Sequence, residues 1–256
     1  MKVLLLAGGL GTRLAEETEA RPKPMVEIGG RPILWHIMKH YAHYGFNEFL
    51  VAAGYKNEAI KRYFLDYASL SGDMSIQLGR GEVRRDTRDV EDWTIHVIDT
   101  GQYTMTGGRI KRLERWVDSS PFMVTYGDGV SDVNVQALLQ YHRAQGALAT
   151  ITAVRPPARF GGIVFEGDRV SSFIEKAQIG EGWINGGFMV LEPGIFRYLE
   201  NDTTVLESDV LERLAAERQL AAYRHEGYWQ CMDTLRDKRQ LEHAWQEGQA
   251  PWKVWA

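Results

Sequence analysis

Lys2–Leu6 (KVLLL) runs directly into Ala7-Gly8-Gly9-Leu10-Gly11-Thr12-Arg13, and no other stretch constrains the fold as strongly. The apolar run is long enough for one buried strand. Gly8, Gly9 and Gly11 leave the backbone free to take positive φ and to approach a ligand with no Cβ in the way. N–H groups in such a turn form a concave anion site. Arg13 adds a permanent charge whose forked donors suit phosphate oxygens. The stretch therefore predicts a strand feeding a phosphate-binding loop, with an ordinary tight turn as the plainer alternative.

Two well-known loops do not fit. A G-x-G-x-x-G fingerprint would need glycine at Leu14, and an ATPase loop would need Gly-Lys-Ser/Thr where Gly11-Thr12-Arg13 stands. Shortly after comes Arg21-Pro22-Lys23-Pro24-Met25. Each proline fixes its own φ and pushes the residue before it into an extended form. Lys23 is thus expected on a stiff segment near the glycine loop, unless it is simply a solvated lysine.

Strand and helix patterns then alternate. Pro32–Tyr44 reads as a helix with proline in its first turn, Glu48–Ala53 as a strand and Tyr55–Tyr67 as a helix. Such alternation predicts an α/β fold with a parallel sheet, whose ligands bind beyond the carboxyl ends of the strands. Residues 68–93 are less regular, and the charged stretch 80–92 suggests a solvated excursion or a subunit contact. Trp93–Asp99 is strand-like, and Thr104 to Arg109 opens a helix expected to run to about Val117. Phe122–Tyr126 is a buried strand closed by Gly127-Asp128-Gly129. A carboxylate between two glycines can reach a magnesium ion shared with substrate phosphates, or simply make an Asp-Gly turn. Asp132 is expected to cap the helix from Asn134 to Gln145. An antiparallel pair is expected over residues 160–174. Glu207 and Asp209 read as acids favoured by a helix start. Asp233 begins a last helix, and Cys231 reads as structural because nothing near it would depress its pKa.

Composition narrows the class. With 256 residues the chain can bury a sizeable core. A net charge of −4 leaves no basic excess to meet a nucleic acid. The single cysteine excludes an internal disulfide and suits a reducing cytosol. No apolar run approaches a membrane span, and no signal-peptide pattern is present, so a cytoplasmic location is expected.

The motifs AGGLGTRL and RPKPMVEIGGRPILWH resemble those of the sugar-1-phosphate nucleotidyltransferases. MTGGRIKR from Met105, TYGDGV from Thr125, INGGF from Ile184 and WQCMDTLRDK from Trp229 extend the resemblance to the final APWKVW. The blocks from Met105 and Trp229 resemble most the branch that joins CTP and α-D-glucose 1-phosphate into CDP-glucose and pyrophosphate. The resemblance implies a Rossmann-like mixed, mostly parallel sheet flanked by helices, with a small antiparallel sugar-binding portion. It implies one nucleotidyltransferase domain over 1–256, with the nucleotide in roughly 1–130 and the acceptor in roughly 131–256.

Residue by residue, it implies Arg13 and Lys23 as catalytic. Leu6, Ala7, Gly8, Gly9, Leu10, Gly11, Thr12, Arg13, Lys23, Thr104, Arg109, Gly127 and Asp128 would bind nucleotide. Gly129, Glu175, Lys176, Asn185 and Gly186 would bind sugar phosphate, although Ala177 stands where relatives usually carry proline. Asp128 and Asp233 would hold Mg2+. No general base is needed, because the attacking phosphate oxygen is already an anion. A homo-oligomer is expected. The open alternatives are UTP or dTTP, another phosphate acceptor, or a silent nucleotide-binding regulatory subunit.

Overall fold

The computed structural model describes residues 1–86, 90–156, 162–166, 168–174 and 182–255, without the side chains of Arg13, Ala15, residues 162–165, Val170 and residues 172–174. The strands of its main sheet and of the ladder beside it are β1 (Lys2–Ala7), β2 (Glu48–Ala53), β3 (Thr94–Asp99), β4 (Phe122–Tyr126), β5 (Gly129–Ser131), β6 (Ala149–Val154), β7 (Ile184–Leu191), β8 (Leu220–His225) and β9 (Trp229–Cys231). Seven form one sheet in the order β8-β6-β7-β4-β1-β2-β3. β7 runs antiparallel to both its neighbours, and the other pairings in this sheet are parallel. The mixed, mostly parallel sheet matches the expectation.

β1 is the central strand because its side chains feed two cores. Val3, Leu5 and Ala7 pack on one face with Ile33, Leu34, Ile37 and Tyr41 of α1 (Ile33–His43). Leu4 and Leu6 pack on the other with Ile110 of α3 (Thr106–Arg112) and with Ile195, Phe196 and Val210. A strand buried on both faces has to be apolar at every position, which is why KVLLL shows no alternation. α1 follows β1 on one face, while α3, on the crossover from β3 back to β4, covers the other. The order therefore reverses between β1 and β4, and the crevice at their carboxyl ends is the switch point where open α/β sheets bind ligands. α2 (Asn57–Leu70) lies with α1, its Tyr63 and Phe64 packing on that face.

Several elements differ from the sequence expectation. Residues 73–77 and 82–86 pair as an exposed hairpin. α3 stops at Arg112 and gives way to a 3-10 turn, Glu114–Trp116. Asn134 rather than Asp132 caps α4 (Val135–Gln145): its side chain accepts from Ala137 N at 2.9 Å, and Asp132 instead meets His225 at 2.8 Å. A π-helical turn, Leu206–Leu211, precedes α5 (Glu212–Ala216), so Glu207 and Asp209 lie in that turn and not at the start of an α-helix. The antiparallel pair Gly162–Glu166 with Arg169–Ile174 is present as expected. α6 (Leu235–Gln246) and the tail close the first core, with Trp252 only 1% exposed among His36, Trp245 and Tyr228. Among the described residues, no helix is long and apolar enough to cross a membrane.

Candidate active site

The two ends of the chain meet through a two-stranded ladder. β5 pairs with β9, and Met232 N donates to the Asp128 carbonyl at 2.8 Å. This places Asp128, just past β4, beside Asp233, just before α6. Thr234 caps α6 in a capping box with Asp237, whose carboxylate accepts from Thr234 N at 2.9 Å and from Asp233 N at 3.1 Å. Asp233 is thus the residue before the cap, and its own carboxylate faces Lys23.

Pro22 and Pro24 bracket a short 3-10 turn that buries this lysine, leaving it 8% exposed. Its Nζ lies 2.7 Å from Asp128 Oδ2 and 2.5 Å from Asp233 Oδ1. Burial pulls the ammonium's pKa down, but the two carboxylates outweigh it and hold Lys23 above its ordinary value. Cys231 Sγ donates to the other Asp233 oxygen at 3.7 Å. Burial, with Asp233 and Asp128 nearby, pushes the Cys231 thiol up to about 11, so it remains an unreactive thiol.

A cavity of about 360 Å³ opens at the switch point. Leu6, Ala7, Gly8, Gly9, Gly11 and Thr12 line one side, and Lys23, Thr104, Arg109, Gly127 and Asp128 line the rest. Gly127 N donates to Leu6 O at 3.0 Å, carrying the β1–β4 ladder into the loop. Of the residues expected at the nucleotide, Leu10 is 41% exposed and is not part of this lining. The side chain of Arg13, and Glu175 and Lys176 entirely, lie outside the described residues.

Arg109 has a different geometry from a free phosphate clamp. Its guanidinium donates to Gly8 O at 2.9 Å, Thr100 Oγ1 at 2.7 Å, Gly101 O at 2.8 Å, Gln102 O at 3.2 Å and Ala53 O at 3.4 Å. It ties the ends of β1, β2 and β3 together. A Cβ on Gly8 would come within 2.0 Å of it, so only glycine lets the loop sit on this side chain. Burial, then the neighbouring Arg112, lowers its pKa from the ordinary arginine value.

Sequence reasoning missed Pro24, Met105, Thr106 and Tyr126 in the cavity wall and, behind them, Glu207. Glu207 is not merely a helix-start acid. It accepts the Tyr126 hydroxyl hydrogen and, at 2.7 Å, that of Thr106. Asn185 Nδ2 donates to Tyr126 Oη at 3.4 Å, and Gly187 N donates to Asn185 Oδ1 at 3.0 Å. The β6–β7 register shifts here, and Gly187, at φ +81°, leaves room for the Tyr126 ring. Gly186 O accepts from Trp229 Nε1 at 2.8 Å, and Gly129 pairs with Cys231. An apolar strand ending in tyrosine gives no warning that its phenol will reach a glutamate 81 residues away.

A family model for nucleotidyl transferases matches residues 2–237. The chain is 47% identical to glucose-1-phosphate cytidylyltransferase of Salmonella typhi over 100% of both chains. It is 43% identical to the probable glucose-1-phosphate cytidylyltransferase of Bacillus subtilis, again over 100% of both. Among solved structures, HddC from Yersinia pseudotuberculosis matches with a TM-score of 0.69, covering 95% of this chain and 99% of that one at 24% identity, a likeness of fold. The match over nearly the whole chain, on a sheet that opens its cavity at the glycine loop, makes the protein a member of the nucleotidyl transferase family.

Proposed function

We propose that the protein transfers a cytidylyl group from CTP to α-D-glucose 1-phosphate, giving CDP-glucose and pyrophosphate. The observation that carries the chemistry is Lys23 held between Asp128 and Asp233 at the wall of the glycine-loop cavity. Identity of 47% over the full length to a glucose-1-phosphate cytidylyltransferase supports the choice of nucleotide and sugar.

A sugar phosphate oxygen attacks the α-phosphorus in line. The new O–P bond forms as the bond to the β-phosphate oxygen breaks, and that oxygen leaves on pyrophosphate. Such transfers depend on positioning and charge neutralisation. The loop Gly8–Gly11 and Arg13 hold the triphosphate. Lys23 meets charge developing at the α-phosphate, Lys176 holds the incoming phosphate, and Glu175, Asn185, Gly186 and Gly129 surround the sugar. Arg109 serves the nucleotide through the loop it fastens, together with Thr104 beside it.

Asp128 and Asp233 are hard oxygen donors brought together on the Lys23 ammonium, and this donor pair fits magnesium: the two carboxylates would hold the ion beside the substrate phosphates. When bound, the ion supplies charge neutralisation between the phosphates.

The cytosine 4-amino group donates where uracil accepts. A site with an acceptor for it leaves that acceptor unpaired against UTP, costing about 1–3 kcal/mol, or roughly ten- to a hundredfold. Kinetics with CTP, UTP and dTTP against a panel of sugar 1-phosphates, read by mass spectrometry, test the assignment. CTP with glucose 1-phosphate is expected to give the highest kcat/KM. Equal efficiencies for CTP and UTP would remove the cytidylyl assignment, and CTP binding without any product would indicate a regulatory subunit. The lone thiol suits a cytosolic enzyme, and the exposed apolar residues Leu65, Leu70 and Ile76 suit assembly with further copies.

A further inference from the structure

Glu207 sits behind the cavity wall, in the first turn of the π-helical segment. Short π-helical stretches often mark functional positions. Its two carboxylate oxygens are each committed to one hydroxyl, Tyr126 on one side and Thr106 on the other. Thr106 Oγ1 in turn accepts from Leu206 N at 2.9 Å, so its hydrogen can point only one way, at the glutamate. Tyr126, having given its hydrogen to Glu207, meets Asn185 as an acceptor.

The consequence falls on Asn185. An asparagine amide has one oxygen and one nitrogen of nearly equal size, and only its partners decide which end points where. Gly187 N, a donor, holds the oxygen end. Tyr126 Oη, made an acceptor by Glu207, holds the nitrogen end. Within the described residues this leaves one amide hydrogen and one oxygen lone pair of Asn185 without a partner, a donor and an acceptor on one amide. That pair matches two neighbouring hydroxyls of a sugar ring. Burial, and next the Glu207 charge, push the Tyr126 phenol above its ordinary value, so Tyr126 keeps the hydrogen that it gives to Glu207.

We propose that Glu207 is a positioning residue for acceptor recognition, acting through Tyr126 to set which end of the Asn185 amide donates and which accepts toward the sugar hydroxyls. This rests on the acceptor role assigned to Asn185 above. It gives a carboxylate that touches no substrate a defined effect on sugar affinity.

Steady-state kinetics of the full chain with CTP and glucose 1-phosphate test it. Tyr126→Phe and Glu207→Ala are each expected to raise KM for glucose 1-phosphate about tenfold, while KM for CTP moves less than about threefold. The double variant is expected to match either single one, because both changes break the same relay. One of the four monodeoxy glucose 1-phosphates, lacking the hydroxyl that Asn185 reads, is expected to show the same KM with wild type and Tyr126→Phe.

Independent, multiplying effects of the two substitutions overturn the relay. If Glu207→Ala proves too unstable to assay, the isosteric Tyr126→Phe decides alone, and an unchanged KM for glucose 1-phosphate overturns the proposal. Wild-type turnover separates the two levels of failure. An active wild type with KM-neutral variants removes only the role of Glu207. A wild type inert toward CTP and glucose 1-phosphate removes the function and this role together.

Discussion

Lys23 and Asp233 stand 210 residues apart in sequence, and their side chains meet at 2.5 Å. The contact welds the segment after the first strand to the start of the last helix, with Asp128 as the third member. A buried ammonium between two carboxylates is a poor source of stability, because desolvation offsets most of the attraction. Its value is in holding Lys23 and Asp128, at the cavity wall, in register with Asp233.

Replacing either carboxylate by its amide is therefore a test of chemistry more than of folding. Asp128→Asn and Asp233→Asn are each expected to lower kcat by at least about a hundredfold while circular dichroism stays native, because each removes a hard anionic donor. Lys23→Ala is expected to lower kcat with CTP more than it raises either KM, as for an interaction strengthened in the transition state. It also leaves two carboxylates facing one another, so its melting temperature is expected to fall. A full-speed Asp233→Asn enzyme at saturating magnesium would refute the ligand assignment.

Arg109 supplies a second test. Lysine keeps the charge but cannot reproduce a planar fork that reaches five acceptors. Arg109→Lys is expected to destabilise the fold by about 2–3 kcal/mol through carbonyls left unpaired. Gly8→Ala, which drives a methyl into the same guanidinium, is expected to raise KM for CTP with a smaller loss of stability. Denaturant titration and CTP kinetics measure both. An Arg109→Lys variant as stable as wild type would mean that the loop is fastened elsewhere.

Asp237 belongs to the helix cap and, through Asp233 N, to the site. Asp237→Ala is expected to cost about 1 kcal/mol for the lost capping box. It is also expected to raise the magnesium concentration needed for half-maximal rate, because the Asp233 backbone loses its anchor. An unaltered magnesium requirement alongside the lost stability would confine Asp237 to capping.

Two buried histidines set the acid limit. Burial lowers His36 and His40 from 6.5 to about 4. His36 Nε2 donates to Ile28 O and its Nδ1 accepts from Trp252 Nε1, so the folded state holds the neutral ring. A depressed folded pKa means that the stability is present above pH 6.5 and is lost as pH falls toward 4. Each ring contributes at most about 3 kcal/mol. The melting temperature is expected to drop across that window. His36→Gln, which keeps an N–H for Ile28 O, is expected to flatten the drop, and equal slopes in the two proteins would assign it to other groups.

Much of this is legible in the sequence, for identifiable reasons. KVLLL announces a strand buried on both faces, and Gly8-Gly9-Leu10-Gly11 announces its loop, because both signals are local. Lys23 between prolines is equally local. The convergence of Asp128 with Asp233 comes from the family resemblance, because no spacing rule links residues joined only by the β5–β9 ladder. Glu207 reads as a helix-start acid because its position at a helix start is a local signal, while its partners Tyr126 and Thr106 are brought near only by the sheet and the π-helical turn. Asp132 reads as the cap of α4 because aspartate and asparagine cap equally well, and the choice falls to His225, which the sequence does not place. Arg109 lines the cavity, but its engagement with carbonyls is not a local signal, because it depends on three strand ends meeting.

The joining of CTP and glucose 1-phosphate is tested most directly by a phosphorus NMR spectrum of the wild-type protein incubated with both substrates and magnesium. Two mutually coupled diphosphate resonances of CDP-glucose, rising in equal amount with pyrophosphate as both substrates fall, are the expected result. CTP and glucose 1-phosphate left unchanged, or CTP consumed with glucose 1-phosphate intact, would contradict it.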